Sequence, residues 1–341
     1  MACTGSGVQI PSAPQTNMNL KYIKEIFSQT KDLIGSQSGI AVISIIQVSF
    51  VVNQLGPAKY GAVVLLIAVP SLIFRASHAR NSDVNLLVLK DGKNFYFESI
   101  FFNFITGIGS FLLCLVVFTN PIIISSSLGD YFGIETLSNV LLIYLLTRII
   151  QTFSETSKSI LIFHNDLRRY SILEISSVIV RFIALVFLLL NDPSVENYLI
   201  AQSIYGITFG LFGLYLSNKY RDSSNFNIQH FKAYSKAIRS FYGKIRYDQI
   251  IGLIPQHFDV ILLAVIVDIQ TVGIYQFAKR LVEPINYLVV TFNPWLQNKL
   301  KSEDKDFNIT SFFSRILSPI SILLFGIYFI FGRNLILFIG N

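Results

Sequence analysis

The sequence is poor in charged residues. Asp, Glu, Lys and Arg make up 14% of its 341 residues, whereas a soluble domain typically contains about 25%. Its two cysteines, Cys3 and Cys114, predict neither a disulfide framework nor a metal site. The four histidines are scattered, and no GxSxG, HExxH or P-loop motif is present. Residues 1–19 lack the basic and apolar regions of a signal peptide, and we expect them to form a disordered head.

The chain contains many long apolar runs, and hydrophobic residues make up 52% of it. A membrane-spanning helix needs about 17–25 apolar residues. We therefore predict an all-α polytopic membrane protein with about nine complete spans. The predicted spans are residues 34–52, 60–74, 96–118, 138–153, 171–190, 198–216, 248–267, 272–295 and 312–331.

The basic residues predict the orientation of these spans. Twenty of the 27 Lys and Arg residues fall in alternate segments between spans, and only Lys59 and Arg333 fall in the opposite set. Because cytoplasmic loops carry the excess of Lys and Arg, the amino terminus and the long loops are predicted to be cytoplasmic. Anionic lipid headgroups attract such loops, so the net charge of +7 does not require a nucleic-acid partner.

The longest predicted cytoplasmic segment, residues 217–247, divides the chain. Phe231, Tyr234 and Ile238 recur at helical spacing opposite several basic residues, which is typical of an amphipathic helix on the inner membrane surface. We expect a connector between two helix bundles. The predicted domains are a cytoplasmic amino-terminal segment (1–33), a six-span bundle (34–216), the connector (217–247) and a partial second bundle (248–341).

Two predicted outer hairpins, one on each side of the connector, have similar sequences. The first is VVNQLGPAKYGAVV (Val51–Val64) and the second is VIVDIQTVGIYQFA (Val265–Ala278). Each places a Gly near a Tyr at the opening of one predicted bundle. This placement is typical of a duplicated transporter with two pseudo-symmetric halves.

The second hairpin and its flanks carry a family resemblance. The block DVILLAVIVDIQTVGIYQFAKRL (259–281), followed by Pro284, resembles spans seven and eight of bacterial polysaccharide flippases. LGPAKYG (Leu55–Gly61) in the first hairpin is similar to the same proteins. These are the O-antigen and lipid-linked oligosaccharide transporters of the multidrug/oligosaccharidyl-lipid/polysaccharide exporter superfamily. The resemblance runs from about residue 30 to the end of the chain and is most specific in the 259–281 block.

The resemblance implies a function, a location and partners. Such proteins move undecaprenyl-diphosphate-linked oligosaccharide units across the bacterial inner membrane for lipopolysaccharide and other surface polysaccharide biosynthesis. They have twelve to fourteen spans in two pseudo-symmetric bundles around a cavity. The implied partners are the lipid-linked oligosaccharide, membrane lipids and the polysaccharide polymerase machinery. No cofactor or metal is expected, and H+ or Na+ would be the coupling ion.

The chain departs from that plan at its end. A tenth apolar run begins at Leu335 and stops with the chain at Asn341, and seven residues are too few to span a bilayer. We therefore expect an incomplete second bundle and a fragment of a longer chain.

Two arginines within predicted spans are the candidate substrate-binding residues. An ionisable side chain at mid-membrane costs at least about 2.5–3.5 kcal/mol, so it needs a partner or a hydrated cavity. Arg181, near the middle of span five, is the first candidate for a cation that holds a diphosphate headgroup; the alternative is a carboxylate partner on a neighbouring helix. Arg148, nearer the inner end of span four, is the second; the alternative is snorkelling to the interface.

Four charged residues of spans seven and eight form a candidate ion cluster. Asp259 and Arg280 lie ten or eleven residues on either side of the turn, so they are predicted at one depth on adjacent antiparallel helices. Lys279 and Glu283 are four residues apart. Two interpretations stay open: a self-neutralising ion pair cluster, or a coupling site for H+ or Na+ whose carboxylates exchange partners during transport.

Polar stripes in spans one and three complete the candidate site. Gln37, Ser44 and Gln47 recur at helical spacing in span one, and Asn103, Thr106 and Gly109 do so in span three. Each stripe predicts either a cavity wall or polar contact between helices.

Three further function classes are weighed against the flippase. An exporter of drugs or cations from the same superfamily would need acidic residues in a largely neutral cavity, which is the reverse of Arg148 and Arg181. An O-antigen polymerase, and catalysis in general, is disfavoured because the longest predicted outer loop (119–137) has no Lys, Arg or His. A channel is disfavoured because no repeated filter motif is present.

Overall fold

The computed structural model describes residues 20–78, 81–90, 95–120, 139–221, 226–239 and 259–295, and the single residues 322 and 326. Within these ranges every regular element is a helix. The helices are α1 (Leu20–Ser77), α2 (Asn81–Lys90), α3 (Tyr96–Thr119), α4 (Asn139–Gln151), α5 (Phe153–Phe163), α6 (Leu167–Asn191), α7 (Val195–Ser217), α8 (228–239), α9 (Asp259–Ile266) and α10 (Ile269–Val290).

Helix α1 is broken into two limbs at Gly56, within the first hairpin. Gly56 adopts φ 76° and ψ 160°, a conformation that only glycine occupies without strain. Pro57 then opens the second limb, where its fixed φ and missing N–H suit the first turn of a helix. The break supplies the reversal that the sequence predicts between spans one and two.

Four helical stretches of the described chain are long and apolar enough to cross a membrane. They are Thr30–Leu86, Tyr96–Thr119, Leu167–Asn191 and Val195–Tyr220. The first is 57 residues long and contains the break at Gly56, so it supplies two passes at about 20 residues each. The chain is therefore a helical membrane protein, as its composition predicts.

The structure corrects the fourth predicted span and the loop after it. Residues 154–170 are expected to form a cytoplasmic loop, but α5 continues directly from α4 after a local break at Thr152 and runs to Phe163. Only the turn at residues 164–166 separates α5 from α6. The prediction ends too early because the apolar run stops at Gln151, while the polar residues that follow face the protein interior and not water.

The two similar hairpins are joined at a close crossing of two helices, where a glycine of one lies against a glycine of the other. Gly61 in the second limb of α1 lies against Gly273 in α10, so closely that a Cβ atom on Gly61 would clash with the carbonyl oxygen of Ile269. A Cβ atom on Gly273 would clash with the carbonyl oxygen of Pro57. Each glycine thus contacts the other glycine and the carbonyl group that lies one turn before it. Small residues allow this backbone approach between membrane helices.

The predicted similarity of the two hairpins needs one adjustment. Aligned without a gap, the two hairpins are 214 residues apart, but the glycines that touch are separated by 212. The second hairpin turns at Asp268, whose carboxylate accepts a hydrogen bond from the Thr271 amide at 2.7 Å and caps α10. Hydrogen bonds from the Thr271 hydroxyl and amide lower the pKa of Asp268. A capped turn here replaces the Gly-Pro break of the first hairpin.

The connector helix α8 is docked on protein, which corrects the predicted role of its apolar face. Tyr234 and Ile238 are buried in a cluster with Val84, Val88 and Phe95 of α2 and the start of α3. The Tyr234 hydroxyl donates to the Asn85 side-chain oxygen. The residues predicted to enter the membrane surface are therefore occupied by contacts within the chain, because α2 offers them an apolar partner.

Several predictions lie outside the described residues. These are the head at 1–19, the loop 121–138, the first part of span seven, residues 240–247 of the connector, span nine and the run from Leu335.

The crossing predicts unequal effects of the same substitution at two glycines. Gly273→Ala should destabilise the protein by about 1–3 kcal/mol because the new methyl group overpacks a backbone contact. Gly109→Ala is the control, since nothing lies within 4 Å of its Cβ position. Thermal unfolding of the two purified variants in detergent would measure the difference, and equal melting temperatures would refute a tight crossing.

Candidate functional site

A cavity of about 880 Å³ lies between the two hairpins and the other helices. Its walls are stripes of residues that recur every three or four positions, so each stripe is one face of a helix. The second limb of α1 contributes Ser71, Arg75 and His78, and α4 and α5 together contribute Arg148, Gln151, Glu155 and Lys158. Helix α7 contributes Tyr198, Gln202, Tyr205 and Phe209, and α10 contributes Gln276, Lys279, Arg280 and Glu283.

The lining is strongly cationic. Six Lys and Arg side chains line the cavity against two carboxylates, those of Glu155 and Glu283. The cationic residues are Arg75, Arg148, Lys158, Arg181, Lys279 and Arg280. An excess of positive charge between low-dielectric walls creates a potential that attracts anions.

Arg181 reaches this cavity from the middle of α6. Its Nε donates to the Gln47 side-chain oxygen at 3.1 Å, and its guanidinium carbon lies 4.9 Å from the centre of the Tyr205 ring. Neither contact neutralises the charge. Glu174, a carboxylate on the same helix, binds Lys158 at 2.9 Å. Among the described residues, Arg181 therefore forms no ion pair.

Arg148 also faces the cavity. Its Nη1 donates to the Gln151 side-chain oxygen at 2.7 Å, and its guanidinium lies 5.6 Å from the centre of the Phe74 ring. Its Nε is buried without a hydrogen-bond partner in the described part of the chain. The Gln276 side-chain oxygen, on the α10 wall, is also buried without a hydrogen-bond partner in the described part of the chain. The site thus offers donors and an acceptor that a polar ligand would satisfy.

Sequence reasoning missed three charged residues of the cavity. Arg75, Glu155 and Lys158 are expected in cytoplasmic loops, but the structure places all three in the lining. The available signal was helical spacing: residues 148, 151, 155 and 158 follow one helix face beyond the end of the apolar run. Lys158 is held there by Glu174 and by the Phe209 ring, 4.6 Å from its Nζ.

The predicted ion cluster is divided into two pairs. Lys279 donates to Asp259 at 2.7 Å across the α9–α10 hairpin, and Tyr275 donates to the same carboxylate oxygen at 2.5 Å. Arg280 pairs with Glu283 along α10 at 2.6 Å. The structure therefore brings the four residues to one region, but Lys279 and not Arg280 partners Asp259.

The two predicted polar stripes have different positions. Ser44 and Gln47 line the cavity, whereas Gln37 is buried outside it. Asn103 lies between helices and donates to the Thr156 hydroxyl at 2.9 Å. Thr106 contacts His78 Nε2 at 2.9 Å. The second stripe thus provides polar contact between helices and forms no part of the cavity wall.

The observed pairing predicts the outcome of a double-mutant cycle. Asp259→Asn and Lys279→Gln should be strongly non-additive in thermal stability, because either change leaves the other charge without its partner. The coupling between Asp259→Asn and Arg280→Gln should be smaller, since they belong to different pairs. Coupling in the second cycle and not in the first would contradict the geometry.

Comparison with known proteins assigns the chain to a family. No curated protein and no solved structure matches it. The family model described as "Polysaccharide biosynthesis protein" matches residues 51–333, which contain both hairpins and most of the cavity lining. This match agrees with the resemblance to polysaccharide flippases and supports a role in polysaccharide biosynthesis. The chain belongs to the polysaccharide biosynthesis protein family.

Proposed function

We propose that the protein translocates undecaprenyl-diphosphate-linked oligosaccharide units from the inner to the outer leaflet of the bacterial inner membrane. The observation that carries this proposal is the excess of cations in a cavity built inside membrane helices. An anionic cargo supplies the charge that the lining lacks. The proposed orientation places the amino terminus in the cytoplasm, on the basis of the distribution of Lys and Arg.

Arg148 and Arg181, which form no ion pair with the described residues, suit a diphosphate. A guanidinium presents a planar set of donors that can bind phosphate oxygens in pairs, and it stays charged in a low-dielectric site. Arg148 and Arg181 are already positioned by neutral hydrogen bonds to Gln151 and Gln47. These contacts hold the side chains without cancelling their charge.

The rest of the lining suits the sugar part of the cargo. Tyr198, Tyr205 and Phe209 form one aromatic stripe of α7, and the Tyr205 and Phe209 rings stack at 5.3 Å. Tyrosine combines an apolar ring with a polar hydroxyl group. Such faces can pack against a sugar ring while hydrogen bonds form at its edge.

Export of cations or cationic drugs is the competing function from the same superfamily. It would require the cavity to attract positive charge, but only Glu155 and Glu283 are acidic among the charged residues of the lining. Glu283 is itself paired with Arg280. The balance of charge therefore favours an anionic cargo.

The pair of Asp259 and Lys279 is the proposed position for coupling to H+ or Na+. Lys279 lines the cavity while its ammonium group is held by Asp259. An anion in the cavity would compete for Lys279 and release the carboxylate to bind a cation. Asp259→Asn would then weaken the dependence of transport on the ion gradient.

The arginines supply the test of the function. Arg181→Ala, alone and with Arg148→Ala, should lower surface polysaccharide at least about tenfold in cells that depend on this protein, while membrane insertion stays normal. Lipid-linked oligosaccharide should accumulate on the cytoplasmic leaflet. Arg168→Ala is the matched control, because Arg168 is exposed in the first turn of α6 and does not line the cavity.

The outcomes separate the candidate functions. Normal polysaccharide in the double variant would remove the proposed role of the cavity. Normal polysaccharide combined with loss of resistance to cationic drugs would favour the competing exporter.

A further inference from the structure

The exposed face of α8 carries charge of one sign. Lys232, Lys236 and Arg239 are all exposed, and their spacing of four and three residues places them within about 60° on one side of the helix. Residues 226–239 contain no acidic residue. Nothing within this segment offsets the basic stripe.

The opposite face of the same helix is fixed to the protein. Tyr234 is 1% exposed and Ile238 is completely buried, and both pack on α2 and α3. The Asn85 amide, which accepts from Tyr234, donates in turn to the Ser99 hydroxyl at 2.8 Å. The basic stripe is therefore presented in a defined direction by a docked helix.

An aromatic cluster sets the height of α8 relative to the bilayer. The Phe226 and Phe231 rings lie 5.1 Å and 5.2 Å from the ring of Phe101. Phe101 lies in the second turn of the membrane helix α3 and is 38% exposed on its outer surface. Because α3 begins at Tyr96, this contact lies about 8 Å from the end of the helix, close to the predicted boundary of the membrane.

We infer that the stripe of Lys232, Lys236 and Arg239 is a binding site for anionic phospholipid headgroups of the adjacent leaflet. Long basic side chains can lie along apolar surface and extend their charge to the headgroup level. Each basic residue near an anionic leaflet favours binding, and three on one docked face act together. The predicted orientation makes this leaflet the cytoplasmic one. The inference does not depend on the cargo of the cavity.

Native mass spectrometry of the purified full chain tests this site. Phosphatidylglycerol and phosphatidylethanolamine would be offered in equal amounts, and retained lipid would be measured. The wild type should prefer phosphatidylglycerol. The triple variant Lys232→Gln, Lys236→Gln, Arg239→Gln should lose that preference by at least about tenfold. The matched control Lys31→Gln, Arg168→Gln, Lys219→Gln removes the same charge from three other exposed positions and should keep it.

Other results would overturn the inference. Unchanged retention in the triple variant would show that the stripe is not the site, and an equal loss in the control would show a general charge effect. Displacement of phosphatidylglycerol by inorganic phosphate at equal concentration would indicate a phosphate site and not a lipid site.

Two measurements keep the inference testable if the triple variant fails to fold. The preference of the wild type should fall as NaCl is raised, because salt screens exposed charges, and a preference independent of salt would count against the site. The variant Lys232→Arg, Lys236→Arg keeps the charge and should keep the preference.

Discussion

The backbone contact between Gly61 and Gly273 is the constraint on which the other features depend. It lies near the starts of two helices, one from each of the two similar hairpins, and the helices could not approach so closely if either glycine carried a side chain. Residues that follow the contact along both helices, among them Val63, Ile67 and Gln276, line the cavity. The contact thus fixes how closely two walls of the cavity approach each other.

Charge inside a membrane is costly, and the cavity shows how the helices accommodate it. Lys158, Lys279 and Arg280 are compensated by carboxylates at 2.6–2.9 Å. Arg148 and Arg181 are held by glutamine oxygens and aromatic rings, which orient a guanidinium but leave its charge in place. The compensated cations support the structure, and in the proposed function Arg148 and Arg181 attract the anionic cargo.

Much of the architecture could be predicted because it depends on local patterns. Apolar runs of bilayer length predict α3, α6 and α7, and the Gly-Pro pair predicts the first outer turn. Arg148 and Arg181 stand out because a charge within an apolar run is conspicuous. Arg75, Glu155 and Lys158 do not, because a charge next to the end of such a run has the same appearance as a residue in a cytoplasmic loop. Only the packing of α5 shows that this face of the helix turns inward.

By itself, the sequence determined that the chain is a helical membrane protein and which ends of its helices carry the basic residues, and it predicted a similarity between two of its hairpins. Only the tertiary structure decided which side chains and which helix faces contact each other. Asp259 binds Lys279 and not Arg280, although both candidates lie at nearly the same height on α10, because adjacent residues on a helix point about 100° apart. Likewise, the apolar face of α8 docks on α2 and not on lipid, since a protein surface and a membrane satisfy an apolar stripe equally well. Periodicity identifies a face of a helix, but only the folded chain selects what that face meets.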